Sequence, residues 1–187
     1  MRVAVILVSC LALLGAPAAP AAPATRTVLQ VGDSLAYGTS LYLRQYLKGW
    51  RVKDDVDVSM QSYAVPARVA AYGAALPHVL IVSSGTNGHP AAIAQFKADV
   101  RRVLALAGPR RCVIWANIVR PPYLGVSYAR LNRALAELDR AHASLVVFDW
   151  ARMVARHPGA LSSDGVHVAV PFYRERARAL AGLAKRC

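Results

Sequence analysis

The chain has 187 residues, 56% of them hydrophobic and 18% charged, with 23 Lys and Arg against 10 Asp and Glu for a formal net charge of +13. That apolar content excludes a disordered or low-complexity protein, and the length is that of one domain with one core. The charge admits an anionic partner such as a cell-envelope surface, although an Arg-rich, Ala-crowded chain also arises from composition bias alone.

Arg2 is followed by an apolar run over 3–16 and an Ala/Pro tract over 16–24 with several small-x-small sites. The run is shorter than the roughly 20 residues of a membrane span and reads as a secretory signal cut near residue 24, leaving a single domain over 25–187. A lipoprotein reading at Cys10 would leave a nine-residue signal while the apolar run continues past it, and is the lesser alternative. Export implies a secreted or envelope-associated protein. It leaves Cys112 and Cys187 in a compartment where disulfides persist.

Beyond the leader, short β-branched runs alternate with helix-period segments. Strands are predicted at 27–31, 51–60, 79–83, 112–118 and 145–148, and helices at 36–47, 67–75, 91–107, 127–142 and 171–184. Strict alternation predicts a three-layer α/β/α domain on a five-stranded parallel sheet, whose ligands bind beyond the carboxyl ends of the strands. Four loops fall at that rim: Gly32-Asp33-Ser34-Leu35, the stretch 84–90, the stretch 120–123, and Ser163 to His167.

Ser34 lies at a strand-to-helix turn, where helix-start amides face a developing anion. A Ser there is also a common helix cap, and Asp164 and His167 taken singly are ordinary loop residues. Their joint placement changes the reading. A carboxylate three residues before an imidazole can hold its Nδ1–H and leave Nε2 as a base, and the order Ser, Asp, His is completed by Asn87, an amide able to donate to an oxyanion.

These residues carry a resemblance. Gly32-Asp33-Ser34-Leu35, Gly85-Thr86-Asn87 and Asp164-x-x-His167 resemble, in order and spacing along the whole mature chain, the first, third and fifth blocks of the SGNH/GDSL hydrolase family. The resemblance implies a flavodoxin-like SGNH fold, Ser34 as nucleophile, His167 as base, Asp164 as its orienter, and an oxyanion hole from the Ser34 amide and Asn87. It implies a serine esterase acting on carboxylic esters. The family's second block supplies a glycine amide to that hole, whereas residues 59–63 contain no glycine, so Gln61 or Ser62 is the expected donor. The Asn87-Gly88 sequence also resembles extracytoplasmic domains that transfer acetyl groups to cell-wall glycans. That keeps an O-acyltransferase or O-acetylesterase as the alternative and a catalytically silent wall-binding module as a third reading.

His89, Tyr37, Tyr63 and Tyr123 are weaker candidates for the substrate pocket. Asp149 is expected to cap or to brace the site, and Tyr42, Tyr46 and Tyr72 to pack. No metal-ligand spacing, P-loop or dinucleotide fingerprint is present, so neither metal nor cofactor is expected. The substrate is a small-molecule, glycan or lipid ester. A monomer is expected, and nothing signals nucleic-acid binding. Cys112 opens the fourth strand at the amino rim, and Cys187 ends a helix that runs down from His167, so the two should meet as a disulfide.

Overall fold

β1 (Thr27–Gly32), β2 (Arg51–Val56), β3 (Val79–Ser83), β4 (Cys112–Ala116) and β5 (Leu145–Phe148) pair in the order β2-β1-β3-β4-β5, every pair parallel. This is seen in a computed structural model that describes residues 25–157 and 159–187. The predicted signal segment lies outside the described residues. Among the described residues no helix is long and apolar enough to cross a membrane.

The central strands are apolar on both faces because helices cover both. Leu29, Val31, Leu80, Val82, Val113 and Trp115 form one core with α2 (Val65–Ala70), α3 (Ile93–Ala107) and α4 (Ala129–Ala141). Val28, Val79, Ile81, Ile114 and Ala116 form the other with α1 (Ser34–Tyr46), α5 (Trp150–Ala155) and α6 (Val170–Arg186). The edge strand β2 carries Lys53, Asp54 and Asp55, charges that discourage pairing with another sheet.

Three expected elements end two or more residues early, the fourth strand at Ala116 rather than 118, and one helix is new. The strand predicted to reach residue 60 stops at Val56, because the Asp57 carboxylate accepts the Ser59 amide and hydroxyl, both at 3.0 Å, and closes a turn. The helix predicted over 67–75 starts earlier, with Pro66 in its first turn, ends at Ala70, and is followed by a separate 3₁₀ turn, Gly73–Ala75. Helix α5 is additional to the predicted elements, being too short to show a period. Its cap is Asp149, which accepts the Arg152 backbone amide at 3.0 Å and the Asn117 side-chain Nδ2 at 2.8 Å.

Cys112 and Cys187 form the expected disulfide, with Cα atoms 5.8 Å apart. It ties the end of α6 to the amino end of β4. In the chain-entropy description, closing a loop with a sequence separation of 75 contributes about 4 kcal/mol.

Candidate active site

Ser34 is the first residue of α1, and Asp33 is its cap, with Oδ1 accepting the Leu35 amide at 3.0 Å. The turn is pressed onto the sheet: the Asp33 amide donates to the Ser83 carbonyl at 2.9 Å. A Cβ on Gly32 would stand 2.2 Å from that same oxygen, so only glycine lets β1 and β3 end this close together. Ser34 is therefore carried on a fixed strand-to-helix junction.

The loop carrying the other two residues is pinched at its base by a bridge between Leu161 and Val168, with the Ser162 amide donating to the His167 carbonyl at 2.7 Å. Gly165 sits at φ 67° within it, packed so tightly on Pro121 that a Cβ would approach the proline ring to 2.7 Å. Asp164 Oδ1 accepts the amides of Val166 and His167 at 2.9 and 3.0 Å, which leaves Oδ2 for the imidazole. His167 Nδ1 lies 2.5 Å from Asp164 Oδ2, and Nε2 lies 2.8 Å from Ser34 Oγ. Hydrogen bonds from the His167 ring and the two amides pull the Asp164 carboxyl down from 3.8 to about 2. It thus stays anionic beside the imidazole throughout the neutral range.

Ser34, His167 and Asp164 line an open cleft of 330 Å³ together with Asn87, Arg120, Pro121, Pro122, Tyr123 and Val166. Asn87 is thus at the site, with Nδ2 directed toward the Val58 and Met60 carbonyls at 3.3 and 3.4 Å. Arg120 belongs to no motif in the sequence, yet it donates to the Thr86 carbonyl at 2.6 Å and to Asn87 Oδ1 at 3.4 Å. A cation on Oδ1 fixes which end of the Asn87 amide is the donor. Its guanidinium rests on the Tyr128 ring, 5.9 Å from the centroid.

The remaining expected residues divide. Gln61, Tyr63 and His89 line a separate small cleft of 150 Å³ rather than the one holding Ser34. Gln61 precedes a 3₁₀ turn, Ser62–Ala64, just beyond the predicted strand. His89 meets Tyr123 edge-on at 5.3 Å, so these two form the wall between the clefts. Tyr37 is 62% exposed on the first turn of α1 and lines neither cleft. Asp149 is a cap and lies outside the Ser34 cleft. Tyr42, Tyr46 and Tyr72 pack against the two cores. Among the described residues no cluster of three or more His, Cys, Asp or Glu has the form of a metal site.

Beneath the cleft two buried groups of opposite charge, Asp33 and Arg176, act on each other through space without a direct ion pair. Arg176 of α6 is fully buried, with Nη2 donating to Ser83 Oγ at 2.7 Å and its guanidinium 4.6 Å from the Trp150 ring centroid and 5.5 Å from that of Phe148. Burial pushes Asp33 up from 3.8 to about 6, against the pull of Arg176 and of the Leu35 amide. Burial also lowers Arg176 to about 10, and Asp33 holds it from falling further. Arg176 Nε and Nη1 have no hydrogen-bond partner among the protein groups around them, and Asp33 Oδ2 makes none of normal geometry, although the Thr86 hydroxyl lies near enough to favour its anion.

No protein-family model and no curated protein matches the sequence. Solved structures do match the fold. The C-terminal catalytic domain of Streptococcus pneumoniae peptidoglycan O-acetyltransferase A, solved with a methylsulfonyl adduct, is 18% identical over 87% of this chain and 92% of its own, with a TM-score of 0.66. A lipolytic protein of the G-D-S-L family from Veillonella parvula is 13% identical over 85% and 97%, with a TM-score of 0.67. A family 3 carbohydrate esterase from Clostridium thermocellum is 15% identical over 85% and 94%, with a TM-score of 0.60. The all-parallel sheet, its strand order and this overlap with nearly whole neighbouring chains give the protein the α/β fold of the SGNH/GDSL proteins.

Proposed function

We propose that the protein is a serine esterase that cleaves carboxylic esters through an acyl-enzyme on Ser34. The observation that carries this is the unbroken chain from Ser34 Oγ to His167 Nε2 at 2.8 Å and from His167 Nδ1 to Asp164 Oδ2 at 2.5 Å. Ser34 Oγ attacks the ester carbonyl while Nε2 takes its proton, and the Asp164 carboxylate steadies the imidazolium. The Ser34 amide, at the start of α1, receives the oxyanion, and Asn87 Nδ2 joins it by exchanging one of its long contacts to the Val58 and Met60 carbonyls for the substrate oxygen. The imidazolium then protonates the leaving alcohol, and water enters by the reverse proton path to release the acid.

The open cleft favours one further reading, in which a glycan hydroxyl takes the place of that water and the acyl group is transferred. The peptidoglycan O-acetyltransferase neighbour makes this the alternative worth separating. The N-terminal apolar segment supports action outside the cytoplasm.

Labelling with a fluorophosphonate, followed by mapping of the adduct, tests both readings at once. A Ser34 adduct is expected, with ester turnover in Ser34→Ala and His167→Ala lowered by roughly 10⁴-fold or more. Near-normal turnover in Ser34→Ala overturns the mechanism, and absence of any adduct favours a silent binding module. Product analysis with an activated acetyl ester, with and without a glycan acceptor, then separates hydrolysis from transfer.

A further inference from the structure

The end of the sheet opposite Ser34 is also built around cavities. A cleft of 630 Å³ opens at the amino ends of β1, β2 and β3, and Arg26, Arg51, Lys53 and Lys185 line it. A second, of 360 Å³, opens beside the amino end of β4 and is lined by Arg110, Arg111 and Arg186. His78 and Cys187 line both, so the two clefts adjoin at the disulfide. Among the described residues no Asp or Glu lines either one.

The acids that meet basic side chains do so elsewhere: Asp54 with Arg44, Asp55 and Asp57 with Arg68, and Glu137 with Lys97. Among the described residues none of the cations lining the two clefts is in an ion pair. Arg26 lies over Trp50, 5.5 Å from the ring centroid, and Lys53 lies 5.6 Å from that of Tyr72, so two of the charges stand on aromatic supports. Arg111 is held by the Leu76 and Ala107 carbonyls. A concave floor whose charged groups are mainly cations, three of them supported in this way, focuses positive potential and attracts a chain of opposite sign.

We infer that the amino rim of the sheet is a docking site for a linear acidic polysaccharide, separate from the ester-cleaving cleft. The chemistry selects among polyanions. A lipid surface is flat and asks for apolar side chains, yet none of the exposed large hydrophobic residues lines these clefts. Single-stranded nucleic acid is gripped largely by base stacking, and Trp50, the one Trp, Tyr or Phe of the clefts, is covered by Arg26. A sugar chain bearing carboxylates needs neither, only spaced cations along a groove. Because this rim and the Ser34 cleft lie at opposite ends of the strands, such a chain would hold the protein without covering the cleft.

The test is binding of oligogalacturonate to the protein, with a dT oligonucleotide, anionic phosphatidylglycerol vesicles and neutral dextran as comparison ligands. Oligogalacturonate is expected to bind with an affinity that falls as salt rises, as counterion release requires. Arg51→Gln/Lys53→Gln/Lys185→Gln should weaken it by about 10-fold or more and flatten the salt dependence. Arg101→Gln/Arg102→Gln on α3 should leave it unchanged. Ser34→Ala should bind as the wild type does, and the triple variant should keep turnover of a small ester, so this proposal and the catalytic one fail independently. It is overturned if oligogalacturonate does not bind, if the triple variant binds normally, or if the dextran, oligonucleotide or vesicles bind as tightly.

Discussion

Asp33 and Asp164 stand on either side of Ser34 and have opposite environments. Asp164 is on a loop, half-exposed, and its oxygens are claimed by two amides and the His167 ring, so its carboxyl is drawn down to about 2. Asp33 is fully buried, one oxygen caps α1 while the other makes no hydrogen bond of normal geometry, and its carboxyl is pushed up to about 6. The exposed carboxylate is the more firmly ionised, because hydrogen bonds to the anion outweigh solvent that it only half loses. On the proposed mechanism the pair teaches a division of labour: the loop acid orients His167, and the buried acid, capping α1, fixes the turn that carries Ser34.

The sharpest break of that comparison is Asp164→Asn. The amide keeps the shape but leaves His167 Nδ1 without an anionic acceptor, so kcat should fall by roughly 10³ to 10⁴-fold with the fold intact. Asp33→Asn keeps a capping oxygen for the Leu35 amide and should cost no more than about 10-fold in kcat. Steady-state turnover of an activated ester, with circular dichroism as a control, measures both. Equal losses would erase the distinction between orienting the base and fixing the turn.

The same contrast between local and buried features decides what is legible in the sequence. The strands are, because both faces of a parallel sheet are apolar, and so are the Ser34, Asp164 and His167 loops, because each motif is local. Arg176 is not, since an arginine in a helix ordinarily points to water. One signal is available: Arg176, Leu180 and Ala184 fall at intervals of four on one face, and Leu180 and Ala184 are core residues. Arg120 and its hold on Asn87 leave no such trace, because the contact spans 33 residues of chain and is made only in three dimensions. Gln61 is expected just beyond a strand end, and the Asp57 turn moves it to the neighbouring cleft.

The buried half of the comparison is tested next by Arg176→Met. Methionine fills much of the space and brings no charge, so Asp33 is left without its cation at neutral pH. Stability at pH 7 should fall by about 1 to 3 kcal/mol in denaturant unfolding, from the lost charged hydrogen bond to Ser83 and from an Asp33 that must take up a proton. In Asp33→Asn/Arg176→Met the stranded charge is gone, and the loss should be smaller than the sum of the single losses. Strict additivity would mean that Arg176 acts through the Ser83 hydrogen bond and the aromatic rings alone, with no coupling to Asp33.

The smallest effect is the most specific to the buried acid. A carboxyl whose folded value is raised from 3.8 to about 6 holds its proton in the folded state after the unfolded chain has lost it. Its contribution to stability is therefore fully present below 3.8 and is lost as pH rises through about 6, by about 3 kcal/mol in all. Asp164, lowered from 3.8 to about 2, has the opposite sign: its contribution is present above 3.8 and is lost as pH falls toward 2. The two slopes overlap in the wild type, so the difference between wild type and Asp33→Asn is the useful quantity, since a carboxamide at that position does not titrate. Unfolding free energy measured at intervals from about pH 3 to 7.5 should show the wild type losing ground to Asp33→Asn between about pH 4 and 6 and running parallel to it elsewhere. A difference curve that stays flat through that interval would mean that Asp33 titrates alike in the folded and unfolded chain, and the contrast with Asp164 would then rest on the catalytic measurements alone.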